Sequence, residues 1–245
     1  MPLTLVVDSC TEILYVALVA GGVPLVDLRL ALAQPHSKTL MATVDWALRQ
    51  AALAPGQIEQ LVVGRGPGSF SGLRIGMASM QGLARALSVP LYSFVGHDLI
   101  ACKFAYVNRV FAVLTDARRQ QLYWTLYSSD GYKPTRLSDC RVDDPETLAQ
   151  CLPEKNILLL GSGVDVYRSR LKAALPQAEL IGVPQALPDL GLFVQLPVLA
   201  EGQAEVADTL PMGLSRVGEK LEMLYVRPSD AELNRDKKLR EPVDG

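Results

Sequence analysis

The stretch Gly66-Pro67-Gly68-Ser69-Phe70-Ser71-Gly72-Leu73-Arg74-Ile75-Gly76 decides how this chain is read. On its N-terminal side, Leu61-Val62-Val63 is a short apolar run ended by glycine, the pattern of a buried strand. On its C-terminal side, Met77, Met80, Leu83, Ala84 and Leu87 recur at helical spacing, which predicts a helix over 72–87. Strand, glycine-rich turn and helix in that order gather unpaired backbone N–H groups at a helix start, where the dipole favours an anion or a polar partner. The helix itself is poor in side chains: Gly72, Gly76, Ala78, Ser79, Gly82, Ala84 and Ala86 leave much of its surface bare. An interior glycine costs about 1 kcal/mol against alanine. So many of them predict a second backbone in close approach, belonging either to this chain or to a partner.

Upstream of that stretch, 3–7 and 13–19 are apolar, and a Gly21-Gly22 turn leads into 24–30, so three antiparallel strands are expected. A helix then begins at Pro35 or Ser37, with Leu40, Met41, Val44, Leu48 and Ala51 on one face, and Pro55-Gly56 ends it. Downstream, 90–94 reads as a strand and 97–105 as a short helix. A second unit starts near Arg109, with paired strands at 110–115 and 121–128, a helix at 145–152, a buried strand at 156–160 and a helix at 166–175. Gly161-Ser162-Gly163 follows that strand, at the end where open α/β sheets present ligand sites. Three prolines, Pro184, Pro188 and Pro197, break any helix over 184–200, a last strand is expected at 223–226, and a polar tail follows. The units are therefore 1–106, 107–228 and a tail at 229–245.

Several chemistries fail on spacing. A Walker loop needs lysine and then serine or threonine after its last glycine, but Leu73 follows Gly72. Gly64-Arg65-Gly66-Pro67-Gly68-Ser69 does not complete a GxGxxG, and Gly68-Ser69-Phe70-Ser71-Gly72 offsets both serines from a nucleophile elbow. His36 and His97, the two histidines, lie far apart without a neighbouring second ligand, so no metal site is expected and both are read as structural. Cys10, Cys102, Cys140 and Cys151 form no CxxC pair and are expected to be reduced thiols. The net charge of −2 and pI near 5.8 argue against a chain that grips a polyanion alone; the one dense basic run, Arg235-Asp236-Lys237-Lys238-Leu239-Arg240, reads as a solvated tail. No apolar run is long enough to span a bilayer, and Asp8 interrupts the N-terminal apolar stretch, so a cytoplasmic protein without a membrane segment is expected.

GPGSFSGLRIG resembles the GPGSFTGLRIG signature of the bacterial TsaB (YeaZ) family, with Ser71 keeping the hydroxyl of the usual threonine. Val6-Val7-Asp8-Ser9-Cys10-Thr11 resembles that family's opening strand, and Pro35-His36-Ser37 through Asp45 its first helix. Asp116-Ala117-Arg118-Arg119-Gln120-Gln121-Leu122-Tyr123 resembles its DARR-EVY hairpin, and Leu224-Tyr225-Val226-Arg227 its closing PxYLR, with Met223 in place of proline.

The resemblance implies an α/β fold of the actin, Hsp70 and sugar-kinase type (RNase H-like) in two lobes. It implies a part in making N6-threonylcarbamoyladenosine at position 37 of tRNAs that read ANN codons. It further implies a non-catalytic subunit that pairs with the catalytic paralogue TsaD, with the ATPase TsaE as third partner, a homodimer when alone, and tRNA met only through the complex. His36, Leu40, Met41, Val44 and Leu48 of the first helix would form the docking face with Gly72, Arg74, Ile75, Gly76, Ser79, Met80, Gly82 and Leu83 of the second. Gly76→Leu or Gly82→Leu is then expected to abolish pairing and leave the monomer folded. A vestigial nucleotide site would use Asp8, Ser9, Gly161 and Gly163, with no cofactor held firmly and ATP or ADP only at the joint between subunits. The alternative is an independent ATP-dependent enzyme of the same fold.

Overall fold

The computed structural model describes residues 2–31, 35–153, 155–183, 198–199, 214–217 and 226. The first half builds β1 (Leu3–Asp8), β2 (Ile13–Ala20), β3 (Val23–Ala31), α1 (His36–Gln50), β4 (Gln60–Gly64), α2 (Phe70–Leu87), β5 (Leu91–Phe94) and α3 (Gly96–Lys103). The second builds β6 (Val110–Asp116), β7 (Leu122–Ser129), β8 (Pro134–Arg136), β9 (Arg141–Asp143), α4 (Pro145–Cys151), β10 (Leu158–Leu160), α5 (Ser162–Ala174) and β11 (Glu179–Ile181). Two short strands follow, β12 (Val198–Leu199) and β13 (Leu214–Arg216).

Alternation of side chains across β1 explains how one strand serves two layers. Leu5 and Val7 face the cluster formed by Leu40, Val44, Ala47 and Leu48 of α1 with Met77 and Met80 of α2. Val6, between them, joins Tyr15, Ala17, Phe94 and Leu99 on the opposite face. The sheet runs β12-β13-β5-β4-β1-β2-β3, antiparallel from β1 to β3 and parallel from β1 through β4 to β5. The three expected antiparallel strands are all present, and β3 is an edge strand.

The second sheet runs β11-β10-β6-β7-β8, with β9 also pairing β7. One of its faces packs Leu114, Leu122 and Trp124 with Val164 and Leu171 of α5 and Leu148 of α4. Its other face packs Phe111, Val113 and Tyr127 on Ile100 and Ala101 of α3 and on Phe104, the residue that ends it. Helix α3 therefore lies between the two sheets, giving Leu99 to one core and Ile100 and Ala101 to the other. It is the wall that joins the lobes.

Polar groups inside this wall are all satisfied by partners from the second sheet. Asp98 accepts hydrogen bonds from Tyr127 Oη at 2.8 Å, from Arg136 Nε at 3.1 Å and from Arg136 Nη2. His97 lies between two hydroxyls, Nδ1 at 2.9 Å from Thr125 Oγ1 and Nε2 at 3.0 Å from Thr115 Oγ1. Burial, with the Arg136 charge nearby, lowers the His97 pKa from 6.5 to about 3. The unfolded chain therefore binds a proton below pH 6.5 that the folded chain refuses until pH 3, so this residue's contribution to stability falls as pH drops through that window. Acid unfolding of the protein is expected to steepen below pH 6.5, by up to roughly 1.4 kcal/mol per pH unit from this group. Urea melts of His97→Gln at each pH are expected to show a shallower slope than the parent.

Two boundaries differ from the sequence reading. Residues 107–228 are not one unit: β13 pairs with β5 of the first sheet, Ser215 beside Ser93 and Arg216 beside Tyr92, so the chain returns to the first lobe after β11. Helix α5 starts at Ser162 rather than 166, which makes Gly161-Ser162-Gly163 the start of a helix and not a free loop. Most of the proline-rich segment, all but position 226 of the expected last strand, and the tail lie outside the described residues.

Candidate functional site

The glycine-rich stretch forms the seat on which the β1–β2 turn rests. Ser69 ends the turn as the N-cap of α2, its hydroxyl accepting from Gly72 N at 3.3 Å. Ser69 N in turn donates to Cys10 O at 2.6 Å, and Ser9 Oγ donates to Gly72 O at 2.8 Å. The glycines at 68, 72 and 76 share one side, and a Cβ on any of them would fall closer than 3.0 Å to the turn: Cys10 O for Gly68, Ser9 O for Gly72, Ser9 Oγ for Gly76. The close backbone that the bare helix predicted is, at these positions, the chain's own.

Asp8, the last residue of β1, is 3% exposed and accepts from Cys10 N at 2.8 Å. Gly64 packs against its carboxyl, where a Cβ would lie 2.6 Å from Cγ. Burial pushes this carboxyl above the usual carboxylate range, and the Cys10 hydrogen bond pulls it partly back. Gly161 and Gly163 sit elsewhere, pressed on Leu114 of β6 and, for Gly163, on Leu122. The four residues expected as a vestigial nucleotide site are thus split between two packing contacts.

The expected docking face also divides. Leu40, Val44, Leu48 and Met80 are between 0% and 4% exposed and belong to the first core, and Gly72 and Gly76 are covered by Ser9. Those six hold α1 and α2 to the sheet and present nothing to a partner, because the same apolar periodicity that suggests a docking stripe is satisfied by the chain's own strands. By the same geometry Gly76→Leu would strike Ser9 and disturb the monomer, which corrects the expectation of a folded variant.

What remains outward is a narrower strip. Gly82 has open space where a Cβ would stand, and Ser71, Ala78 and Ala86 are exposed beside it at helical spacing. Ile75, Ser79 and Leu83 are half-buried along its flank. On α1, Met41 is 46% exposed. Arg74 projects at the head of the strip with its guanidinium 3.8 Å from the centre of the Phe70 ring, a cation–π contact that positions it against the unfavourable helix dipole. His36 lies lower, Nε2 at 2.8 Å from Thr11 O, and ties the start of α1 to the β1–β2 turn rather than capping the helix. The hairpin resembling DARR-EVY reaches the same turn from the other lobe, through an ion pair of Arg118 with Glu12.

Sequence reading missed the role of Ser69 as a cap, although serine three residues before a glycine-started apolar repeat is a readable signal. It also missed Trp46, which stands 48% exposed on α1 away from the core positions. Among the described residues no helix is long and apolar enough to cross a membrane, and Cys10, Cys102, Cys140 and Cys151 are free.

A family model described as "TsaD: tRNA N6-adenosine threonylcarbamoyltransferase" matches residues 30–179. The tRNA threonylcarbamoyladenosine biosynthesis protein TsaB of Bacillus subtilis is 28% identical over 183 residues, covering 73% of this chain and 79% of the relative. The protein of the same name from Haemophilus influenzae is 28% identical over 194 residues, covering 75% and 81%. Among solved structures, YeaZ from Pseudomonas aeruginosa superposes with a TM-score of 0.63 at 27% identity, covering 78% of this chain and 88% of that one. The two lobes described above are accordingly the actin-like α/β fold.

Proposed function

This chain belongs to the TsaB (YeaZ) family, and from that premise we propose that it is the non-catalytic scaffold subunit of the assembly that forms N6-threonylcarbamoyladenosine in tRNA. A role in the biosynthesis of that modified nucleoside follows from the family. The finer reading is that the chain pairs with and activates a catalytic TsaD-type subunit, that a TsaE-type ATPase joins the pair, and that tRNA and any ATP or ADP are met at the joint between subunits.

The observation that carries this reading is the outward strip of α2. Gly82 lies in a helix interior at a cost of about 1 kcal/mol relative to alanine, yet among the described residues nothing approaches it. With the small residues Ser71, Ala78 and Ala86 beside it, the helix is built for another helix to lie close. Met41 on α1 adds an adaptable apolar contact at the margin. Two helices of this chain against two of a paralogous subunit make a four-helix seam.

Gly82→Leu tests the reading without harming the monomer, because the site is open and leucine favours helix. Mixed with the TsaD-type subunit of the same organism, the variant is expected to lose at least about tenfold in affinity by light scattering and titration. Its thermal melt is expected to match or exceed that of the parent. Reconstituted tRNA modification is expected to fall with the affinity. An unchanged complex, with unchanged modification, overturns the proposal.

A further inference from the structure

Strand β3 carries a second surface that the helix seam does not use. It is the edge of the first sheet, and among the described residues no element pairs with its outer side. Long apolar edge strands offer unpaired backbone groups to another strand. Val23 and Leu25 are 61% and 48% exposed here, and the side toward α1 opens into a groove of about 410 Å³ lined by Leu28, Leu30, Lys38, Ala42 and Trp46. Charges in the strand are confined to Asp27 and Arg29, one pleat apart on the opposite face and 3.1 Å from each other.

We propose that β3 pairs antiparallel with β3 of a second copy of this chain, on a two-fold axis through Leu28. The occupant is argued from charge. In a two-fold antiparallel ladder the axis passes through one residue, and residues equally far from it on either side face one another. With the axis at Leu28, Asp27 faces Arg29 of the second copy and Arg29 faces its Asp27. Moving the axis to Asp27 sets two carboxylates opposite one another, and moving it to Arg29 sets two guanidinium groups together. An axis at Val26 places both charges against Leu25 and Val23. One register alone pairs every charge with its opposite, so the strand is complementary to itself. On the other face that register sets Leu28 against Leu28 and Val26 against Leu30, joining the two apolar grooves into one, with each Trp46 at a flank. Apolar burial supplies the affinity and the charges fix the register.

Sedimentation velocity on the full chain tests this, with Gly82→Leu in the background so that the helix seam cannot contribute. That protein is expected to dimerise reversibly. Asp27→Arg and Arg29→Asp are each expected to weaken the dimer at least tenfold, since each sets like charges opposite one another. Mixed in equal amounts they are expected to associate, and the double exchange D27R/R29D to dimerise by itself. Leu28→Lys, which places two ammonium groups on the axis, is expected to be monomeric, and it carries the test if a charge variant fails to fold by circular dichroism. A parent that stays monomeric at every concentration, charge variants that dimerise like it, or a mixture that does not associate overturns the proposal. None of these results bears on pairing through α2.

Discussion

Gly72→Ala is expected to destabilise the protein by on the order of 3 kcal/mol, whereas Gly82→Ala in the same helix is expected to stabilise it by roughly 0.5–1 kcal/mol. Helix propensity favours alanine at both positions, less so at Gly72 in the first turn, and that difference is far smaller than about 3 kcal/mol, so the contrast reports what the added methyl meets. At Gly72 it meets the carbonyl of Ser9, held in the β1–β2 turn, and a backbone atom cannot rotate away. At Gly82 it meets nothing among the described residues. For a chain of this size, 3 kcal/mol lowers the melting temperature by roughly 6–12 °C. Gly76 gives an internal control, because its obstacle is the Ser9 hydroxyl rather than the backbone. Ser9→Ala loses the hydrogen bond to Gly72 O, a cost of about 1 kcal/mol, but it opens room at Gly76. It should therefore rescue part of the loss in Gly76→Ala and none of the loss in Gly72→Ala. Urea melts of the single variants and of the two double variants with Ser9→Ala measure each of these effects; equal effects at 72 and 82 would remove the close-approach account of the signature.

The same contrast marks how far the sequence could be read. Periodicity placed α1, α2, β6 and β7 because each has one face against a core, and burial imposes the repeat on the residues. It could not say which apolar stripe was core and which was surface. Leu40, Val44 and Leu48 carry the spacing of a docking helix and of a buried one alike, and only the position of the sheet distinguishes them. Small residues are equally two-valued: a glycine reports that something comes close, not whose backbone it is. Gly68, Gly72 and Gly76 report Ser9 and Cys10, while Gly82 reports open space. Long-range returns were invisible for a different reason. The pairing of β13 with β5 leaves no local trace in Leu214–Arg216, so the division at 107–228 had no signal to correct it. The ties across the lobes were likewise unreadable, because Asp98 and Arg136 lie far apart in the chain and neither is unusual in its own segment.

That buried pair bears the largest expected loss. Asp98 and Arg136 have side-chain exposures of 1% and 7%, and the carboxylate takes both the guanidinium and the Tyr127 hydroxyl. Arg136→Met leaves a carboxylate without its countercharge between the two sheets, and such a break costs about 3–5 kcal/mol. Burial already raises the Asp98 carboxyl, with Arg136 the main opposing influence. Removing the arginine therefore raises it further, and the variant escapes part of its penalty by protonating. Its deficit is expected to be greatest at neutral and alkaline pH and to shrink as pH falls through the raised pKa, the reverse of the His97 contribution. Replacing both partners by apolar residues, Asp98→Leu with Arg136→Met, is expected to restore much of the stability, less the cost of the Tyr127 hydroxyl left without an acceptor. Adding Tyr127→Phe should recover that remainder, while keeping the ring stacked on Phe111 at 5.6 Å. Thermal melts of the single, double and triple variants across pH decide it. A single variant as stable as the parent at neutral pH would mean that the pair contributes nothing to holding the lobes together, and that the apolar contacts of α3 suffice alone.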